Sequence, residues 1–385
     1  AFGQKNAPKI WLHAVSVGET MAARPIARAL KEEIQGVQIA LSSTTDTGHD
    51  IAKALLQNGE VDAIFYFPLD LTPIQSRVLS ALRPDAIGFV ETELWPNLLH
   101  LARKRGIPTF LVNGRVSDNL FKTAPRLGPL WKWMSGNISL FLMRGEADAQ
   151  RLKKLGVPDS KIEVSGDVKL ESPPLASETL RQQWRHELGV DESDEVLVCG
   201  STHTGEEEIF LGIARQKPNL RLALAPRHPH RFAEVATLIE AEGFKVITRS
   251  SRENWPRDAV FLLDSVGELG DFYAIADWAF VGGSLIKRGG HNLLEPVLRG
   301  VPVGFGPFVH NFVAQSELLV AHDLGTMAQD PHIFFDEIVT WLDAPRTSRP
   351  EFASRVAAAL APHQGAARRM AQHIKEEIHR KDVTT

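Results

Sequence analysis

Residues 11–25 read WLHAVSVGETMAARP. An apolar run ends at Gly18 and passes at once into a pattern of helical spacing that continues to residue 33. A strand that turns through a glycine into a helix is the first half of a βαβ unit, so this stretch predicts a parallel sheet. It also poses a chemical question. Turns of this shape hold phosphates through free backbone N–H groups, yet Glu19 puts a carboxylate where a phosphate would be repelled.

The same alternation runs outward from this unit. Apolar runs predict strands at 10–15, 37–41, 63–67, 86–90, 109–112 and 138–143, with amphipathic stretches at 20–33, 74–82 and 97–105 between them. The second half repeats the pattern. Its strands are predicted at 196–199, 220–225, 245–248, 260–263, 279–281 and 301–305, and its helices at 206–216, 232–242, 269–276 and 292–299. Between the halves, GDVKLESPPLASETL (166–180) carries a proline pair among small polar residues and reads as a hinge. A helical region at 351–381 has no strand after it. The reading is therefore α/β, with two Rossmann-like doubly wound domains, 1–170 and 171–385, facing a cleft. The final helical segment is assigned to the second domain. Ligands in such sheets sit beyond the carboxyl ends of the strands, so the chemistry is sought at strand-to-helix turns.

Composition narrows the classes. A chain of 385 residues is long for one core and suits two. The net charge of −4 is spread along the chain and gives no reason to expect nucleic acid as a partner. A lone cysteine, Cys199, excludes an internal disulfide and favours a reducing compartment. No stretch approaches the roughly 18 apolar residues of a membrane span. The sequence starts at Ala1 rather than Met, so an anchor or signal upstream stays open.

Five turns stand out. In SVGE (16–19), Glu19 is either an acid placed for the helix dipole or a general base facing the cleft. On the second reading the dipole keeps it ionised but weakens it as a base. In FVETELWPN (89–97), Glu91 and Glu93 follow a strand beside Trp95. They could repel each other, bind a cation or bind sugar hydroxyls, or be a cap and a solvated acid. In CGSTHTGEEE (199–208), Gly200, Ser201, Thr202 and Thr204 are candidates for an anion loop, Ser201 and Thr202 foremost, against plain N-capping by Thr202 or Thr204 with Glu207 or Glu208. In APRHPHRF (225–232), Arg227, His228, His230 and Arg231 suit a phosphate or carboxylate. A zinc site there lacks a third ligand at the usual spacing, and a solvated loop is the plain alternative. In FVGGSLIKRGGHNLLEP (280–296), Asn292 and Glu295 have capping-box spacing. The functional alternative is a phosphate at the helix start with Glu295 accepting from ribose hydroxyls.

Absences matter too. There is no G-x-x-x-x-G-K-[ST] loop, no G-x-G-x-x-G after the first strand, and no Asp-x-Asp pair to hold a metal-bound diphosphate. Transfer from a nucleotide would then neutralise the leaving phosphate with N–H groups and cations.

Taken in order, WLHAVSVGE, ETELWPNLL, GDVKL, GSTHTGEEE, APRHPHR and GGHNLLEP resemble the 3-deoxy-D-manno-octulosonic acid (Kdo) transferases over residues 10–310. The resemblance implies a GT-B fold with the acceptor on the first domain and CMP-Kdo on the second. It implies inverting transfer of Kdo to a lipid A precursor at the cytoplasmic face of the bacterial inner membrane, without metal or other cofactor. On it, Glu19 is the base, facing the acceptor hydroxyl rather than the donor phosphate. Glu91 and Lys169 stabilise the transition state. Arg227, His228, Gly267, Glu268, Leu269, Asn292, Leu293, Leu294 and Glu295 contact CMP. Hinge closure near 166–180 would join base and cations and exclude water. The family's usual N-terminal membrane anchor is absent here, which fits a truncated chain.

Residues 97–133 add an anionic membrane surface to the expected partners. They hold seven Lys or Arg and one acid, Asp118, with Leu120, Phe121, Leu130, Trp131 and Trp133 interleaved. An ordinary basic face over buried tryptophans is the alternative. Two other functions fit the same plan: a sugar-nucleotide epimerase, and a non-enzymatic protein closing on a sugar between two lobes.

Overall fold

In KIWLH, residues Lys9–His13, alternate side chains leave the strand on opposite faces. Ile10 and Leu12 join one apolar cluster and Trp11 the other. Both faces are covered, which is why the strand reads as one apolar run. The structure is a computed structural model. It describes residues 7–172, 176–328, 334–344 and 347–384, without the side chains of 334, 335 and 381–384. The expected hinge includes 173–175, which lie outside the described residues.

The chain forms two compact units. The first takes in Ala1–Glu171 and Pro362–Thr385. Its strands are β1 (Lys9–His13), β2 (Gln38–Ser43), β3 (Ala63–Tyr66), β4 (Ala86–Val90), β5 (Thr109–Gly114), β6 (Leu140–Met143) and β7 (Ile162–Val164). They pair in parallel in the order β3-β2-β1-β4-β5-β6-β7. The order reverses between β1 and β4, where His13 lies opposite Phe89. The loops after those two strands therefore emerge side by side.

The second unit is Ser172–Ala361. Its strands are β8 (Glu195–Thr202), β9 (Leu220–Pro226), β10 (Lys245–Thr248), β11 (Ala259–Leu262), β12 (Trp278–Val281), β13 (Val303–Phe305) and β14 (Gly325–Met327). They too are parallel, in the order β10-β11-β9-β8-β12-β13-β14. Here the reversal falls between β8 and β12, with Gly200 opposite Val281.

Two expectations need correction. The region 351–381 is not one helix: it breaks into Arg349–Leu360 and Ala366–Thr384, with Pro362 and Gly365 in the gap. The second of these does not belong with the second domain. Ala366, Met370, Ile374 and Ile378, spaced four apart, bury themselves in the first unit's core beside Ile26 and Leu30. Each of the larger side chains contributes about 1.5–3 kcal/mol by leaving water. The Glu171 carboxylate accepts from the N–H groups of Gly365 and Ala367 at 2.9 and 3.0 Å and caps that helix.

Candidate active site

In the first unit the helix Val17–Glu33 opens on a reciprocal cap. Ser16 Oγ accepts from the Glu19 N–H, and the Glu19 carboxylate accepts from the Val15 N–H at 2.6 Å and from the Ser16 hydroxyl at 3.1 Å. This is the logic of an S-x-x-E capping box, closed one residue early. Glu19 thus does hold the helix start, and it remains half-buried rather than sealed. The cap bonds from Val15 and Ser16 do weaken it as a base, in the direction expected of the helix start, but other causes outweigh them. Burial, aided by the charges of Glu91 and Glu93, raises its proton affinity above the usual carboxylate value against the opposing Val15 bond.

Glu91 follows β4 directly, and its backbone takes a φ of +64°. Its N–H donates to Val112 and its carbonyl accepts from Arg115, so the turn is held from both sides. A non-glycine residue in this region costs on the order of 1–3 kcal/mol, and such outliers gather at functional sites. The turn brings the Glu91 carboxylate onto the Lys169 ammonium as an ion pair. Lys169 is positioned in turn by Asp167, whose Oδ1 accepts from the Lys169 N–H at 2.9 Å and the Asn113 amide at 3.1 Å. Asn113 Oδ1 accepts from the Val168 N–H at 3.1 Å. The segment before Asp167 is tied to the C-terminal region, with the Asp167 N–H donating to His363 Nδ1 at 3.0 Å and Arg369 donating to Ser165 O. Lys169 Nζ lies over Gly18, where an added Cβ would sit 3.6 Å away. Glu19, Glu91, Glu93 and Lys169 therefore converge where β1 and β4 end. Trp95 packs against Phe67 and His13 at the edge of this group, half-buried.

In the second unit the loops after β8, β9 and β12 gather in the same way. Arg227 and His228 are exposed after β9, and the Arg227 N–H donates to Thr202 O. Arg227 is close enough to Glu295 to oppose the rise that burial imposes on the Glu295 carboxyl. The 267–269 turn abuts the end of β8, since a Cβ on Gly200 would meet Tyr273 and Leu269. Glu206, which is 0% exposed, accepts from the N–H groups of His203, Gly283 and Leu285 at 3.0, 2.9 and 3.1 Å. It joins the loop after β8 to the loop after β12. Gly282 permits the approach, because a Cβ there would meet Ser201 O at 2.4 Å. Among the described residues no group of three or more His, Cys, Asp or Glu is arranged to hold a metal ion.

A sequence model of the 3-deoxy-D-manno-octulosonic-acid transferase (kdotransferase) family matches residues 1–172. The Haemophilus influenzae 3-deoxy-D-manno-octulosonic acid transferase is 36% identical over 336 residues, covering 83% of this chain and 76% of that one. This chain belongs to the Kdo transferase family. The Bordetella pertussis member is 32% identical over 384 residues, covering 96% of this chain and 87% of its own. In fold, the transferase is similar to Acinetobacter baumannii MurG, with a TM-score of 0.59 at 16% identity over 96% of this chain and 99% of that one. The α/β, GT-B type fold class and the glycosyltransferase activity expected from the sequence therefore stand.

Several residue expectations for the transferase change. Asn292 does not cap a helix over 292–299. The helix is the five residues Leu294–Leu298 with Leu293 at its cap, and Asn292 instead bridges the Leu294 N–H and Glu295 Oε1 at 3.2 Å each. Leu293 and Leu294 have buried side chains, and their N–H groups are taken by Gln315 and Asn292, so neither is left for a phosphate. Thr202 is buried too, which leaves Ser201, at a φ of +55°, and the exposed Thr204 as the reachable hydroxyls of the expected anion loop. Arg231 is buried and paired with Glu207 and Glu234, a structural role rather than a ligand site. Glu268 is ion-paired with Arg249 at 3.0 Å, which holds its carboxyl below the usual range, while Gly267 beside it is open. Glu206 was not singled out by sequence. Three consecutive acids before a helix do not reveal that the first is buried.

Proposed function

We propose that this transferase moves Kdo from CMP-Kdo to a hydroxyl of a lipid A precursor, with inversion and without a metal ion. The observation that carries the reading is the convergence of Glu19, Glu91, Glu93 and Lys169 at one switch point, with Glu19 half-buried and more basic than a free carboxylate. Glu19 takes the acceptor proton as the acceptor oxygen attacks the anomeric carbon. The carbon–phosphate oxygen bond breaks with its electron pair leaving on CMP. Attack from the face opposite the phosphate inverts the centre in one step. Lys169, held by Glu91 and Asp167, offers a fixed positive charge to the negative charge that develops. Arg227 and His228, with the 267–269 turn, Ser201 and the Asn292–Glu295 pair, supply the donor side. The test is CMP release from CMP-Kdo with tetraacylated lipid A precursor. Release that needs the lipid and survives excess EDTA is expected. Loss in EDTA restored by a divalent ion would contradict the metal-free reading, and UDP-sugar isomerisation would favour an epimerase.

The acceptor's lipid nature bears on the helices Asp118–Leu127 and Pro129–Gly136. Trp131 of the basic stretch is buried and donates to Leu155 O, and Leu120 and Phe121 pack on the core. Leu127, Leu130 and Trp133 remain exposed beside Lys122, Arg126 and Lys132. No helix among the described residues is long and apolar enough to cross a membrane. We assign the exposed half of this stretch to an anionic membrane surface, the cytoplasmic face of the bacterial inner membrane. Each basic group near such a surface contributes about 1 kcal/mol, so replacing all three by alanine should weaken vesicle binding on the order of 100-fold. Co-sedimentation with anionic and neutral vesicles checks this. Equal binding by wild type and triple variant would remove the assignment.

A further inference from the structure

His203 and His291 stand 88 residues apart in sequence, on the loops after β8 and β12, with their Nε2 atoms 2.9 Å apart. The ring planes differ by 9° and the ring centres are 5.3 Å apart. That separation is close to the nitrogen–nitrogen distance plus the two ring radii. The rings therefore lie edge to edge, with the two nitrogens on the line between them. Such a contact is an N–H···N hydrogen bond with one proton in the middle. Two imidazoliums would aim two N–H groups at each other, so the pair has room for at most one positive charge.

The scaffold holds this geometry. The His203 N–H is fixed by Glu206, which also holds Gly283. Gly283, at a φ of +68°, accepts from the Gly290 N–H, and a Cβ on it would meet the His291 ring at 3.1 Å. His203 is 9% exposed. The charged groups facing the pair are Arg227, His228, Arg231 and Arg288. His228 reaches the His203 ring at 5.5 Å and stacks on His230 at 5.3 Å. The carboxylates of the same loops are committed: Glu206 to three N–H groups, Glu207 to Arg231 and Glu295 to the Asn292 amide. Burial, together with this positive field, lowers both histidines to about 4, so the pair is neutral near pH 7.

We propose that the His203–His291 pair takes up one proton when an organic phosphate dianion occupies the Arg227–His228 loop, so that nucleotide binding to this unit is proton-linked. The inference rests on the donor reading above. An arriving dianion offsets the local positive field. The proton between the rings is already in place in the neutral pair, so the added one goes to Nδ1 of the ring that donates its Nε2–H. A monophosphate leaving group carries one more negative charge than the phosphodiester donor, so the device favours the nucleotide as it is released from the sugar.

The sign follows from linkage. Between the free and bound pKa values of the pair, raising the pH weakens binding about tenfold per unit. The phosphate of CMP titrates with the opposite sign, so the quantity to read is the difference between wild type and variants. Calorimetric titration of the full chain with CMP at pH 7, in buffers of different ionisation enthalpy, counts the protons. Wild type should take up about one proton per CMP more than His203→Gln or His291→Gln. Should His203→Gln fail to fold, His291→Gln, at the less buried partner, carries the comparison. Equal proton uptake by wild type and a folded variant overturns the inference and leaves the donor reading intact. No CMP binding by wild type overturns both.

Discussion

Glu19→Gln should lower the turnover of Kdo transfer by about 10²–10⁴-fold while leaving CMP affinity unchanged. Glutamine is the informative replacement because the proposal gives Glu19 a role as base beside its role in the cap. Its carboxylate closes the cap at the start of the helix Val17–Glu33 through Val15 and Ser16. Glutamine serves that cap as well as glutamate, so the helix start survives and only the basicity is lost. The loops proposed to hold CMP belong to the other compact unit, and the substitution alters none of their residues. A pH profile separates the two roles further. The base must be ionised to accept a proton, so the rate is full above its pKa and falls as pH drops through it. Burial and the neighbouring acids raise that pKa above the ordinary 4.5. The acid limb of the wild-type profile should therefore lie above pH 4.5 and be missing from the residual rate of the variant. A Glu19→Gln enzyme with near-normal turnover would move the base elsewhere.

Glu206→Ala should cost roughly 3–9 kcal/mol of stability in the second unit, because it orphans three buried N–H donors at about 1–3 kcal/mol each. Those donors belong to His203, Gly283 and Leu285, the residues that fix the loops after β8 and β12. CMP binding should weaken along with stability, since the loops lose their common anchor. Urea denaturation and CMP titration of the same variant check both. A loss below about 1 kcal/mol would mean that water or a neighbouring side chain takes over all three donors.

Most of the sheet architecture was legible because the strands are buried on both faces. Runs such as AIGFV at Ala86–Val90 carry no polar residue to blur them. The two strands without a sequence signal, β7 and β14, have three residues each, lie at sheet edges and are partly exposed, so they carry neither a run nor a clear alternation. The final helix shows a buried stripe in its sequence, but a stripe does not name the core it enters. Glu171, nearly 200 residues earlier, reaches its first turn.

The candidate site was half legible for a similar reason. Glu19 and Glu91 sit at strand ends, where doubly wound sheets place ligands, and a local motif marks each. What turns them into a cluster is long-range. Asn113 and Asp167 aim Lys169, while Glu206 draws together loops separated by 77 positions. The helix expected from residue 292 starts two residues later, because Asn292 keeps a non-helical place before it. Asn292 spends its amide on Glu295 and the Leu294 N–H.

The most direct measurement of Kdo transfer is the mass of the lipid recovered after incubation with CMP-Kdo and a lipid A precursor. One or more Kdo residues added by wild type, with none added by Glu19→Gln, is the predicted result. An unchanged lipid mass in the presence of folded wild-type protein that binds CMP would contradict it.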